Sequence, residues 1–381
     1  MNDSDEIRKR PGMYLGDLHD DTALHHCIWE VVDNSVDEHL GGHSDLIEVG
    51  INSDGTLTVR DYGRGIPTGI HKDFGISAAE VIMTRAADWK EIFNPRGIFT
   101  FGVSAVNAVS EYMEMTIHRG GTIYHQRYEA GIPVSPLKEI GKCDDSGTEI
   151  TFKPDLGIFT NIIEFEFEQI DTRLKETAFL NTGLEIVITD YRSEDAYVSR
   201  HHYEGGLSEF VKQINSRREV VHEEVIEISA VDVRKNNSIA IDIAMQWTEN
   251  YDEDILCFTN NGYNSLGGTH LNGLKRGVIK SIKKHAKIPP NNFLRWSDFT
   301  KGLVAIVSVK HPDPSYTSAK MDRLVNYELL TLVERIVFEG LEKFFQNNKL
   351  ILESIIGKIN LNKTNREKLR QERLIPVSYT H

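Results

Sequence analysis

Between residues 24 and 42 the apolar side chains recur three and four apart, at Leu24, Cys27, Ile28, Val31, Val32, Val36 and Leu40. That is the repeat of an α-helix burying one face. Thr22 before the run and Gly41 and Gly42 after it supply a cap and a stop, which gives a helix of about five turns. Glu30, Asn34 and Asp37 or Glu38 share a second face, and His26 lies one turn before Glu30. Taken alone, that polar stripe reads as a solvated surface. If instead it faces inward, a carboxylate and an amide beside aliphatic neighbours need a ligand, a metal or water to offset their desolvation.

The pattern continues with a hairpin, in which residues 46–51 and 56–60 flank a turn at 52–55. Residues 1–16 are short and polar, with a turn at Arg10-Pro11-Gly12. A helix is predicted at 77–84 and another opens at 103. Residues 113–119, 122–129 and 149–153 alternate as strands of a mixed sheet whose order the pattern does not give. A helix at 164–180 and a strand at 183–190 close this part, and a boundary falls near 199–206. Beyond it come strands at 225–233, 238–248 and 254–260, a helix at 271–285, a buried strand at 301–310, and long helices at 327–347 and 349–373. These elements suggest domains at 1–200 and 201–349, with a basic helix and tail at 350–381.

A chain of 381 residues, 40% hydrophobic and 26% charged, fits a soluble protein with more than one core. Its net charge of −14, from 43 basic and 57 acidic residues, excludes a surface that is cationic throughout. Contact with nucleic acid would need a local basic patch or a partner. Cys27, Cys143 and Cys257 have no metal-site spacing and read as buried, reduced thiols of a cytoplasmic protein. No run reaches membrane-spanning length and the first residues carry no apolar signal core.

The stretch after the hairpin carries the chemistry. In Asp61-Tyr62-Gly63-Arg64-Gly65-Ile66-Pro67 a carboxylate ends a strand, and two glycines spaced by one residue let backbone approach a planar or phosphorylated ligand. Neither this motif nor a helical Glu-x-x-x-Asn is specific alone. Together with RKRPGMYLG from Arg8, LHHCIWEVVDN from Leu24, DYGRGIPTGIH from Asp61 and SAAEVIMT from Ser77, they are specific. From Arg8 to about Val325 the chain resembles the ATPase region of DNA gyrase B and its topoisomerase IV relative, within the GHKL class of ATPases.

That resemblance implies an α+β chain: a GHKL (Bergerat) ATP-binding sandwich followed by a ribosomal-S5-like transducer domain and C-terminal helices. It implies ATP and Mg2+ as ligands. Glu30 would activate water with His26 orienting it, and Asn34 would hold Mg2+ through its side-chain oxygen. Asp61 would accept the adenine amino group, supported by Thr148. Gly63, Gly65, Ile66 and Pro67 would shape the adenine slot and Arg64 would cover its mouth, with Glu38 and Ile82 also contacting nucleotide. Gly97, Gly102 and Val103 would belong to a phosphate lid, and Lys320 would sense the γ-phosphate. The implied partners are a second copy of the chain, a topoisomerase cleavage subunit, and DNA at the basic helix of residues 275–287. The bland reading of that helix, with Lys275, Arg276, Lys280, Lys283, Lys284, His285 and Lys287, is a solvated face.

Three segments depart from the resembled pattern. Only seven residues precede Arg8, where the family carries a longer arm that helps hold the ATP-bound dimer. The lid, residues 85–102, has fewer glycines, is about five residues shorter, and gains Trp89, Phe93, Pro95, Phe99 and Phe101. It reads equally as a reshaped phosphate pocket or as a loop that packs down. Ala319-Lys320-Met321 stands where the family has Gln-Thr-Lys. Nothing resembles the acidic metal-binding domain or the cleavage partner needed for strand passage. The leading expectation is a Mg-dependent ATPase of the topoisomerase B type. The alternatives are a module that binds ATP or gyrase inhibitors without turnover, and one that uses ATP in transfer to another acceptor. Retention of Glu30, His26 and Asn34 favours a working hydrolytic site.

Overall fold

The computed structural model describes residues 3–18, 22–85, 102–160, 164–233, 238–286, 294–318 and 321–372. They form two compact units, Met1–Gly206 and Leu207–His381.

In the first unit the chain runs α1 (Asp3–Lys9), α2 (Gly12–Leu15), α3 (Thr22–Leu40), β1 (Leu46–Ile51), β2 (Leu57–Asp61), α4 (Ala78–Thr84) and α5 (Gly102–Val109). It continues β3 (Ser110–Arg119), β4 (Thr122–Glu129), β5 (Ile132–Pro133), β6 (Lys138–Lys142), β7 (Gly147–Pro154), α6 (Phe167–Leu180), β8 (Glu185–Asp190) and β9 (Tyr197–His202). The strands make one sheet in the order β5-β4-β3-β7-β2-β1-β8-β9, with β6 alongside β4. Its parallel pair is β1 with β8, in register from Leu46 opposite Glu185 to Ile51 opposite Asp190. Helix α3 buries Leu24, Cys27, Ile28, Val31, Val32 and Val36 in the core that also holds Ile47, Val49, Val59, Ile186 and Ile188. The stripe that faces inward is thus the one the 3.6-residue repeat picks out, except for Leu40, which ends the helix and is exposed.

Two parts of this unit depart from the pattern reading. The turn expected at Arg10-Pro11 is present, but the residues on either side of it fold as the helices α1 and α2, because Ile7 and Leu15 reach the core. The Arg8 guanidinium donates to the Ala108 carbonyl at 2.8 Å and pairs with Asp155. Two apolar residues eight apart are too sparse to register as a repeat. Strands β6 and β9 are likewise invisible to the pattern, since they expose nearly all their side chains and show no clean alternation. Their existence follows from backbone pairing with β4 and β8.

The second unit contains α7 (Gly206–Ile214), β10 (Ile226–Val233), β11 (Ser238–Trp247), β12 (Asp254–Thr259), β13 (Gly262–Tyr263), α8 (Thr269–His285) and α9 (Trp296–Thr300). Then come β14 (Leu303–Lys310), α10 (Tyr327–Asn347) and α11 (Lys349–Glu372). Its sheet has the order β10-β11-β14-β12-β13, and β14 is buried on both faces. Helix α11 is built into this unit. Ile355 and Ile359 lie in its core, and Arg366 forks onto the buried Asp298 at 2.7 and 2.9 Å.

Much of the positive charge of α8 is answered within the same unit. Lys275 lies 3.9 Å from Glu253, Arg276 and Lys280 lie 4.0 and 3.4 Å from Glu334, and Lys284 pairs with Glu342. The arrangement is that of an ion-paired solvated face; exposed pairs of this kind contribute about 0–1 kcal/mol each. Lys287 lies outside the described residues. Cys27 and Cys257 are buried as expected, whereas Cys143 is half-exposed because it sits in the turn after β6. Among the described residues no helix is long and apolar enough to cross a membrane.

Helices α8 and α10 approach closely because Gly273 and Gly277 form one stripe of α8. A Cβ at Gly277 would lie 2.6 Å from Val337 Cβ and 2.9 Å from the Glu334 carbonyl. Alanine there gains about 1 kcal/mol of helix propensity, but overpacking costs about 1–3 kcal/mol. Gly277→Ala is therefore expected to lower stability by a net amount on the order of 1 kcal/mol, read as a reduced urea midpoint at unchanged slope. A raised midpoint would mean that the two helices separate without cost.

Candidate functional site

The site is built around the end of β2, where Asp61 is buried. Its Oδ1 accepts the amide N–H of Gly63 at 2.9 Å and that of Thr148 at 3.3 Å, while Oδ2 accepts the Ser35 hydroxyl at 3.3 Å. Burial is the strongest influence on this carboxyl and pushes it up to about 6; the Gly63 amide opposes that rise and nearby Glu38 adds to it.

Three glycines let backbone close around it. A Cβ on Gly63 would lie 2.6 Å from Glu38 Oε2, and one on Gly65, at φ +70°, would lie 2.6 Å from the His118 carbonyl. Gly147 has φ +146°, and a Cβ there would overlap the Asp61 carbonyl. The Thr148 hydroxyl accepts the Ile66 amide at 3.2 Å, and Arg119 donates to the carbonyls of Arg64, at 2.9 Å, and Gly65. Ile66 and Ile82 are partly buried against the first unit's core, and Pro67 is half-buried. The result gathers one buried carboxylate, a threonine hydroxyl and aliphatic side chains at the end of β2.

Glu38 and Arg64 face each other at the rim. Arg64 donates Nε and Nη2 to the two carboxylate oxygens at 3.1 and 2.8 Å, and its amide adds a bond of 2.8 Å. Burial works against ionisation of Glu38, but these bonds outweigh it and hold the carboxyl below its ordinary range. Arg64 is itself exposed, so the pair is a lid on the rim whose carboxylate is already engaged.

Further along α3, Glu30 lies in a different environment. It is half-buried and makes no hydrogen bond among the described residues; burial alone pushes its carboxyl up to about 7. Gly102, the first residue of α5, stands against it so closely that a Cβ would overlap Oε2. Val103 follows, buried. One turn before Glu30, His26 Nδ1 lies 3.0 Å from the Leu15 carbonyl, so that nitrogen carries the proton and Nε2 the lone pair. Burial, and secondarily the Arg173 cation, hold the ring neutral. Asn34, one turn after Glu30, is exposed. Gly97 and Lys320 lie outside the described residues, as do Trp89, Phe93, Pro95, Phe99 and Phe101.

Sequence reading missed Ser35, Gly147 and Arg119. Ser35 had a visible signal, a lone hydroxyl between Val32 and Val36 on the buried face of α3. Gly147 sits in a Ser-Gly-Thr triplet that resembles any turn, and Arg119 ends a strand whose pairing the pattern did not give.

Residues 19–158 match the family described as histidine kinase-, DNA gyrase B-, and HSP90-like ATPase, and residues 206–374 match DNA gyrase B. The chain is 40% identical over 378 residues to the DNA gyrase B protein of Rickettsia prowazekii, a match spanning 96% of this chain and 46% of that protein. It is 39% identical over 362 residues to the corresponding protein of Staphylococcus epidermidis, spanning 92% and 56%. It also superposes, with a TM-score of 0.81 and 30% identity over 98% of both chains, on the 43K ATPase domain of Thermus thermophilus gyrase B, solved in complex with an aminocoumarin. Fold and site define a GHKL-class ATPase fold followed by a transducer domain. Within that class the chain belongs to the DNA gyrase B family, and it spans about half the length of the gyrase B proteins it matches.

The environment of Glu30 has a stability signature. Its carboxyl rises from 4.5 to about 7 on folding, so the folded state holds the proton longer. The stabilisation this provides is fully present below about pH 4.5 and is lost as pH rises through 7. Glu30→Gln cannot ionise, so its melting temperature should exceed that of the parent above pH 7 and converge with it below pH 5. The gain is bounded at about 3 kcal/mol on the scale of about 1.4 kcal/mol per pH unit, less whatever solvent screening removes. Parallel melting curves at all pH values would mean that the carboxylate is fully hydrated.

Proposed function

We propose that this chain binds ATP and hydrolyses it, as the nucleotide-using part of a type II topoisomerase of the gyrase B kind. The observation that carries the reading is the contrast between two carboxylates beside α3. Asp61 is buried and held by fixed donors, while Glu30 is desolvated, without a hydrogen-bond partner among the described residues, and poised near neutrality. The donor set suits the ligand. At Asp61 a carboxylate oxygen accepts the amino group of adenine, whereas a purine carrying a carbonyl there would meet a like-signed oxygen. Gly65, Ile66, Pro67 and Ile82 give the base a flat, aliphatic slot, and Thr148 supports its polar edge.

The phosphates then run along α3 towards Asn34, Gly102 and Val103. Asn34 offers a hard oxygen donor fit for Mg2+, which when bound neutralises phosphate charge. Glu30, ionised in about half the molecules near pH 7, takes a proton from the attacking water, and His26 Nε2 offers that water an acceptor that orients it. Residues 1–200 form the nucleotide domain in this reading and residues 201–349 the transducer. Cleavage of DNA falls to a partner protein, with the ATP-bound form working as a homodimer in the cytoplasm.

Phosphate release from Mg·ATP, measured beside calorimetric binding, tests this. Glu30→Ala is expected to lose about 100-fold or more of turnover while keeping nucleotide affinity. In the parent, turnover should climb as pH rises through 7, because the base is then ionised. Asp61→Asn should weaken ATP binding by about 1–3 kcal/mol, roughly 5- to 150-fold. Turnover surviving in the Glu30 variant, or unchanged affinity in the Asp61 variant, would sink the respective assignment.

A further inference from the structure

At the end of β3, next to the backbone that packs around Asp61, three donors of mixed type converge. His118 is the penultimate residue of β3; Cys143 directly follows β6, and Asp145 lies two residues before β7. A ring nitrogen of His118, Sγ of Cys143 and a carboxylate oxygen of Asp145 all lie within 4.8 Å of one another. We propose that these three side chains form a binding site for a soft divalent cation of the Zn2+ class, clipping the end of β3 to the turn between β6 and β7.

The geometry is close to what such an ion requires. Tetrahedral Zn2+ with bonds of about 2.0–2.3 Å sets its donors roughly 3.3–3.8 Å apart, so small side-chain rotations suffice, the histidine and aspartate atoms opening slightly to admit the ion. His118 Nδ1 and Asp145 Oδ1 already stand 2.7 Å apart, and the cation replaces the proton they share. Cys143 supplies a thiolate, its proton released on binding, and water completes the fourth position. Sulfur and imidazole donors select Zn2+ or Cd2+ over Mg2+ or Ca2+.

The surroundings hold the ligands in place. Arg60 binds the other oxygen of Asp145 at 2.8 Å and so fixes the carboxylate, as outer hydrogen bonds do at metal sites. Its positive charge is offset by Glu149 at 3.7 Å. The Cys143 amide is tied to the Gly121 carbonyl at 3.3 Å, which anchors the turn.

The position gives the cation a structural consequence. The His118 carbonyl is the atom against which Gly65 packs, and His118 pairs across the sheet with Gly147. The turn carrying Cys143 and Asp145 runs straight into Gly147 and Thr148, which close around Asp61. A bound cation thus braces the backbone around Asp61.

The test uses the untagged full chain, stripped with chelator and titrated with Zn2+ against a chromophoric competitor. One Zn2+ per chain is expected, undisturbed by excess Mg2+, with affinity falling at least about tenfold in both Cys143→Ser and His118→Asn. Cd2+ should produce a thiolate-to-metal absorption band that Cys143→Ser abolishes. In the parent, Zn2+ should slow alkylation of Cys143, the half-exposed thiol, while the buried Cys27 and Cys257 report that the fold is intact. Absence of uptake, or uptake and a Cd2+ band unchanged in Cys143→Ser, would overturn the proposal and leave His118 and Asp145 as a plain ion pair.

Discussion

Three segments far apart in sequence meet at the carboxylate of Asp61. Helix α3 sends the Ser35 hydroxyl, the turn after β2 sends the Gly63 amide, and the start of β7 sends the Thr148 amide. Each bond is modest, about 1 kcal/mol net, but leaving a buried acceptor unmet costs about 1–3 kcal/mol. The three therefore hold or fail together. Because Gly147 leaves no room for a side chain over the Asp61 carbonyl, the strand and turn cannot draw apart without opening the site. The shape of the slot is in this sense a property of the first unit's sheet as a whole.

Glu30 illustrates the opposite choice. It sits on the same helix, about a turn and a half before Ser35, but no donor among the described residues reaches it and glycine backbone is pressed against it. A carboxylate so placed lowers stability at neutral pH, and removing it would be the easy way to a firmer fold. Local stability and reactivity pull apart at this residue, as they do where a side chain is kept for chemistry. Gly102 sharpens the conflict, because any larger residue would relieve neither the crowding nor the desolvation.

The legibility of these features follows their physics. Helix α3 and the hairpin β1–β2 were readable because a buried face imposes a period on consecutive residues, and Glu30, Asn34 and Asp61 stood out against that period. Arg119, Gly147 and the order of the sheet were not readable, since their roles arise from cross-strand register that neighbours in sequence do not encode. Strands β6 and β9 escaped for the same reason: an exposed edge strand is defined by its partner's backbone and carries no apolar signature. In the second unit, the pairing of the α8 cations with Glu334 and Glu342 could not be inferred from the charge of one helix, because the answering carboxylates lie more than fifty residues onward.

The parallel pairing of β1 with β8 sets an order of events during synthesis. Residues 46–51 leave the ribosome well over a hundred residues before their outer neighbour, residues 185–190, so the sheet must wait for the intervening chain to be made. Contacts of such long sequence separation close late and slowly. Until then the free edge of β1 is an exposed, apolar, unpaired template of the kind that recruits other chains. The nascent chain is consequently most prone to mispairing in the interval before β8 emerges, and a pause in translation at that point would prolong the hazard.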